Sequence, residues 1–356
     1  MRPKRLLNLA GDRLYALPLV VLYLTDGCNS RCITCDIWRS PRRNMAFGLA
    51  ETAAAAFPAL GTRHVLLSGG EAMQHPEWPR IAQLFRAAGA RVMLLTNGLL
   101  LRRQLDEVLA SVDEVIVSLD AGTAPTYAAI RGVDGFDLVL DGIRGVRHGG
   151  LPVITRTTVQ RANYRELPQI IEVALAADVN RISFLTVDVS SQHAFGPRFQ
   201  ADPTLSLAAA SGPGAPPEHA QVGAALQAGD LPELARTLET VERRFASAFS
   251  EGRIAETPAK LRRMVGYFSA LLGQSEAVPP RCNAPHLSIV IEVDGTLRPC
   301  YFLPAFGQLA PGGQLAEALN VLEAVALRRA YRAGQRPECA RCVCPLYRGP
   351  RALLTM

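Results

Sequence analysis

Lysine is almost missing from this chain of 356 residues, occurring only at positions 4 and 260, so arginine carries nearly all of the positive charge. A net charge of +6 and a pI near 9.0 invite a nucleic-acid reading. Aromatics are scarce as well, at 6% of the chain, and the pairs Arg102-Arg103, Arg243-Arg244, Arg262-Arg263 and Arg328-Arg329 carry none between them. Basic residues at helical spacing without interleaved aromatics describe solvated helix faces, so nucleic acid is not an expected partner. Long hydrophobic runs are lacking, and no window is long and apolar enough to cross a bilayer. The basic start from Met1 to Arg5 imitates a signal peptide, but Asp12 and Arg13 interrupt it and no small-residue cleavage site follows, which predicts a cytoplasmic protein. Cysteine, finally, is missing between positions 35 and 282. Three thiols at one end and five in the last 75 residues do not make a disulfide framework; they predict two metal centres in a reducing compartment.

What is present is concentrated. Cys28, Cys32 and Cys35 follow the apolar run Leu19 to Leu24, which puts them on the loop leaving a first strand. A tetrahedral zinc site wants four protein ligands, and a cubane iron-sulfur cluster closed by protein wants four thiolates. With three, one iron stays open to a small molecule that can chelate it through an amino and a carboxylate group. The spacing C-x3-C-x2-C also departs from the ferredoxin run. A zinc knuckle or a redox thiol pair is the other reading of these residues.

Taken with Ser68-Gly69-Gly70-Glu71 one βα unit later, the triplet resembles the signature of the radical S-adenosylmethionine (radical SAM) superfamily. The resemblance implies a [4Fe-4S] cluster on Cys28, Cys32 and Cys35, bound SAM, and an external one-electron reductant of flavodoxin or ferredoxin type. It also implies reductive cleavage of SAM to a 5'-deoxyadenosyl radical that takes a hydrogen from substrate. One departure is Thr34, where the family often has an aromatic residue.

From residue 19 the chain alternates β-branched or leucine-rich runs with alanine-rich helical patterns, the pattern of parallel α/β folds. Strands are expected at Leu19 to Leu24, His64 to Leu67, Val92 to Leu95, Glu114 to Leu119, Val153 to Val159 and Arg181 to Val187. Helices are expected near Gly48 to Leu60, Trp78 to Ala88, Leu100 to Ala110, Phe136 to Val146 and Leu167 to Ala176. Six units fit a partial barrel, and the resemblance implies the same (β/α)6 core over 19–188; periodicity leaves a doubly wound sheet open. Residues 1–18 read as an N-terminal helical strap across the barrel end.

Polar residues recur at the carboxyl ends of these strands, where parallel folds place their chemistry. Gly69 and Gly70 would let the backbone approach a ligand, and the resemblance suggests that Glu71 accepts from the SAM amino group. Asn97, Ser118 and Asp120 suit the ribose hydroxyls and the methionyl amine, and Arg156 could grip the SAM carboxylate in a bidentate fork. Asp188 and Tyr164 are the candidates for handling protons. His64, His75 and His193 read as packing or surface residues.

Residues 189–280 read as an insertion, beginning with a Gly/Pro-rich loop around Gly212 to Pro217 and continuing as helices over Pro232 to Ser250 and Pro258 to Leu272. A lid over the barrel mouth, shielding a carbon radical, is the expected role. Residues 281–356 then show a β-hairpin, with Leu287, Ile289, Ile291 and Val293 on one face and a turn at Asp294-Gly295. Cys282 and Cys300 bracket it, and Cys339, Cys342 and Cys344 follow a helix built on Leu319, Leu322, Ala326 and Tyr331. Spacing alone allows zinc or iron here. C-x12-G-x4-C followed by C-x2-C resembles the twitch or SPASM extension, which implies one auxiliary [4Fe-4S] cluster on Cys282, Cys300, Cys339 and Cys342, with Cys344 spare or substituting. Basic Arg281, Arg298 and Arg341 are expected to temper that cluster's charge.

The expected function is a radical SAM oxidoreductase-type enzyme that removes hydrogen from a small polar metabolite of sugar or aminocyclitol type. The short stretch before the first strand, without a peptide-recognition domain or cobalamin-binding extension, is what favours a small substrate. A ribosomal-peptide maturase and a lipid-modifying enzyme are the alternatives, and a structural metal-binding protein is the reading without catalysis.

Overall fold

The strands owe their placement to a simple alternation. In Leu19–Tyr23 (β1) and Val153–Val159 (β5) every second residue is buried and its neighbour half-buried, as a strand between a helical layer and an open face requires. His64–Ser68 (β2), Arg91–Thr96 (β3), Glu114–Ser118 (β4) and Arg181–Thr186 (β6) complete the set. The computed structural model describes residues 2–189 and 223–349. All six strands pair in parallel, each with its neighbour in the chain. A doubly wound sheet reverses its strand order part-way. Here the order β6-β5-β4-β3-β2-β1 never reverses, so the sheet is singly wound and forms a partial barrel.

One face carries the core. Val20, Leu22, Val65, Leu67, Val92, Leu94, Val115 and Val117 are fully buried and pack with helix residues such as Ile81, Phe85, Val139 and Ile143. On the other, concave face, Tyr23, Leu66, Met93, Leu95, Ser118 and Arg156 are only half-buried. The helix Ala124–Arg131 is absent from the sequence expectation, and the helix expected from Leu100 begins at Leu105. The missed helix has a proline in its first turn and ends on Gly132 at φ +66°, both ordinary start and stop signals.

The C-terminal hairpin is built onto the barrel sheet. Ser288–Ile291 (β7) pairs in parallel with the free side of β1, Leu19 standing opposite Ser288. Thr296–Arg298 (β8) and Gly307–Gln308 (β9) follow antiparallel, which makes nine strands in the sheet among the described residues. The turn needs its glycine: Gly295 has φ +88°, and a Cβ there would lie 2.1 Å from the Leu309 carbonyl oxygen.

At the start of the chain, the helix Arg2–Ala10 is stitched to this region by one side chain. Asn8, fully buried, donates from Nδ2 to the carbonyls of Ala16 (2.7 Å) and His286 (2.9 Å), and its Oδ1 accepts from Tyr15 N. Beyond β6, the helices Leu231–Arg244 and Pro258–Leu271 pack on each other and the first also packs on Leu167–Ala176. Ile254 bridges to Ile182 in parallel, and the buried Glu256 accepts from Ser183 Oγ and Phe184 N. The described part of the insertion is therefore fixed along the β6 edge. The Gly212 to Pro217 stretch and His193 lie outside the described residues.

Candidate metal and cofactor site

The loop carrying Cys28, Cys32 and Cys35 leaves the carboxyl end of β1 and is held from three sides. The turn after β2 holds it first. Gly70 N donates to Thr25 O (2.7 Å) and Glu71 N to Gly27 O (2.8 Å). Gly69 has φ +135°, and a Cβ on Gly70 would stand 2.3 Å from Gly27 O. The close approach of the cysteine loop itself thus requires both glycines.

The turn after β3 holds it next. Asn97 Nδ2 donates to Asn29 Oδ1 (2.7 Å) and Ser30 Oγ (3.1 Å), while its Oδ1 accepts from Leu99 N. Glu71 ties the two turns together: its carboxylate accepts from Thr96 Oγ1 (2.8 Å), Asn97 N (2.7 Å) and Met73 N (3.2 Å) at 1% exposure. Burial raises its pKa against the pull of those donors. Glu71 thus braces the two turns, and Asn97 braces the cysteine loop.

The third hold is the helix Ala124–Arg131. Arg31 N donates to Arg131 O and Ile33 N to Ile130 O. Arg131, buried, reaches Asp120 from Nη2 (2.5 Å) and Cys32 Sγ from Nη1 (3.7 Å). Asp120 also accepts from Thr158 N (2.7 Å), so both strand β5 and Arg131 hold its carboxylate. Arg131 is the residue beside the cysteine loop that the sequence reading missed. Its signal was the overlooked helix, whose last residue it is.

Ser118 and Arg156 stand side by side in register on the concave face. Arg156 Nε is buried without a hydrogen-bond partner, a state a guanidinium tolerates poorly unless an anion completes it. Asp188 is buried two residues past β6. Tyr164 does not face the concave side: it is fully buried in the core, and its hydroxyl bonds Asp230 (3.1 Å) and Glu233 (2.9 Å). That contact fastens the insertion and removes Tyr164 from proton handling. His75 is a packing residue, with Nε2 on Met45 O and Nδ1 accepting from Glu77 N.

The C-terminal thiols converge. Cys282, Cys300, Cys339, Cys342 and Cys344 all line one cavity of about 460 Å³, together with Tyr301, Phe302 and Tyr331. Burial pushes Cys300 up to about 12 and Cys339 to about 11; at the other site it pushes Cys28 to about 11. Such thiols ionise together only beside a strong positive charge, which is the condition a metal cluster supplies. Both donor sets are thiols, the donor type of iron-sulfur clusters, three at the first site and five at the second. Among the described residues no three His, Cys, Asp or Glu groups stand close enough to hold one single ion. Of the basic neighbours, Arg298 is paired with Glu292 (2.7 Å) and Arg281 donates to Tyr347.

With this geometry in view, residues 22–174 match the model of the Radical SAM superfamily. These residues form a radical SAM domain. That identity implies SAM and one [4Fe-4S] cluster. Relatives include an "AdoMet-dependent heme synthase" of Methanosarcina barkeri, 33% identical over 175 residues, covering 47% of this chain and 50% of that protein. A "GTP 3',8-cyclase" of Chlorobaculum tepidum is 29% identical over 181 residues, covering 49% and 54%. The chain spans about half the length of the curated relatives it matches. Among solved structures, Streptococcus suis SuiB bound to S-adenosylmethionine superposes with a TM-score of 0.63 at 13% identity, over 97% of this chain and 76% of that one. The anSMEcpe structure with AdoMet and the Cp18Cys peptide gives 0.62 at 15%, over 92% and 89%. At such identities the likeness is one of fold: the radical SAM barrel and the strands and helices after it share an arrangement with those enzymes. Among the described residues no helix is long and apolar enough to cross a membrane.

Proposed function

We propose that the chain is a radical SAM enzyme that abstracts hydrogen from a small polar metabolite of sugar or aminocyclitol type, with one auxiliary [4Fe-4S] cluster in its C-terminal cavity. When bound, the first cluster and SAM supply one-electron reductive cleavage and a 5'-deoxyadenosyl radical. The protein's own residues bind and orient. Cys28, Cys32 and Cys35 would hold three irons of that cluster; the braces Glu71 and Asn97 hold their loop; Arg156 would take the SAM carboxylate and Ser118 a ribose hydroxyl. Cys282, Cys300, Cys339 and Cys342, the four less exposed thiols, ligate the auxiliary cluster, and Cys344, the exposed one, is spare. An external one-electron reductant would supply the electron for SAM cleavage, and a cluster held by the C-terminal thiols would offer a one-electron acceptor.

The observation that carries this reading is the convergence of five cysteines, drawn from a hairpin and a distant knuckle, on one cavity in a chain that also has a radical SAM domain. The relatives are named for haem and for GTP, but their likeness spans only about half of this chain, so it supports the SAM chemistry and not a substrate. Anaerobic reconstitution tests it. The expected result is about eight irons with matching sulfide and 5'-deoxyadenosine from SAM on reduction, with deuterium passing into it from a labelled sugar or aminocyclitol. Zinc alone without SAM cleavage would leave a structural metal-binding protein.

A further inference from the structure

We infer that Arg131 sets the reduction potential of the cluster on Cys28, Cys32 and Cys35, and that Asp120 acts through it by offsetting part of its charge. The inference rests on the ligation just proposed. It needs nothing of the substrate.

The geometry is specific. Arg131 ends the helix Ala124–Arg131, its side chain only 10% exposed, and sends two different guanidinium nitrogens to two different partners. Nη2 meets Asp120 at 2.5 Å; Nη1 meets the Cys32 sulfur at 3.7 Å. Only a planar fork serves both directions at once, which a lysine ammonium does less well. Its position relative to the thiol is fixed by the backbone. Arg131 O receives Arg31 N at 2.9 Å and Ile130 O receives Ile33 N at 3.0 Å, so the residues on either side of Cys32 are bonded to the helix end that bears the guanidinium. Gly132 permits this approach, because a Cβ there would lie 2.5 Å from Arg31 O at φ +66°. Asp120 is fixed too, by Thr158 N at 2.7 Å.

A cluster gains one negative charge on reduction, and a fixed cation donating a hydrogen bond to a ligand sulfur favours that reduced state. Burial strengthens the effect, since little water intervenes to screen it. The aspartate limits it. Removing the cation should therefore lower the potential, and neutralising the aspartate while keeping its acceptor oxygen should raise it. A residue that merely packs the loop would not give opposite signs.

The test is an EPR-monitored redox titration of reconstituted full-length protein, following the signal that changes when SAM is added, alongside iron content. R131Q is expected to lower the midpoint potential at unchanged iron, R131K to lie between it and wild type, and D120N to raise it. Unchanged potentials in R131Q and D120N at full iron content would overturn the inference alone. Should R131Q lose the cluster, D120N decides: a raised potential supports the inference and an unshifted one overturns it. A wild-type protein with no SAM-responsive signal would overturn the ligation first, and this inference with it.

Discussion

Arg156 illustrates how a single side chain on a strand comes to matter. On β5 its neighbours Thr155 and Thr157 turn toward the helices, which leaves it on the concave face beside Ser118. Its buried Nε has no partner, whereas the side chains of Glu71, Asn97 and Asp120 are each hydrogen-bonded to several protein groups. R156A should therefore weaken SAM binding by about 10- to 100-fold, as expected for losing a charge-assisted hydrogen bond of roughly 1.5–3 kcal/mol, with R156K retaining part. Equilibrium binding to the reconstituted protein measures this; an unaltered Kd would place the SAM carboxylate elsewhere. All four residues look equivalent in the sequence, each polar and near a strand end. What separates them is whether a partner some tens of positions away has already claimed the polar group, and that is a fact of folding.

Secondary-structure elements were legible where one face meets the core. The alternation in Val153 to Val159 fixes that strand to the residue, because a half-buried strand cannot shift by one position without turning its apolar side out. The helix Ala124–Arg131 was harder to see despite its proline start and glycine stop, because it is short and lies among turn-forming residues. Two junctions between elements give predictions. Y164F removes the hydroxyl that bonds Asp230 and Glu233, and should cost about 1.5–3 kcal/mol in denaturant unfolding while leaving cluster content intact. His286, beneath the strap helix, is 4% exposed with its ring against Tyr331 and its Nε2 near Arg332. Burial and the charges of Arg332 and Arg328 lower its pKa from 6.5 to about 4, so the unfolded chain binds more protons between those values. Stability is then fully present above pH 6.5 and declines as pH falls toward 4. Urea midpoints at pH 7 and pH 5 should show the decline, and H286Q should flatten it.

At the scale of the whole molecule, the two thiol groups belong to one sheet. β7 completes the hydrogen bonding of β1, the strand from which the first cysteine loop springs, and lies between Cys282 and Cys300. A chain cut after residue 280 should consequently expose the β1 edge and aggregate; recovery of a soluble, SAM-binding fragment would show that the hairpin is dispensable. The sequence by itself determined the parallel α/β order, the cysteine spacing and the glycine turn beside it, because each is a local pattern imposed by strand periodicity, ligand count or backbone conformation. Only the tertiary structure decided that five distant thiols share a cavity, that the hairpin extends the barrel sheet, and that Arg131 reaches the Cys32 sulfur. Those facts depend on contacts between residues far apart in the chain, and no spacing along the chain encodes which polar groups will find each other first.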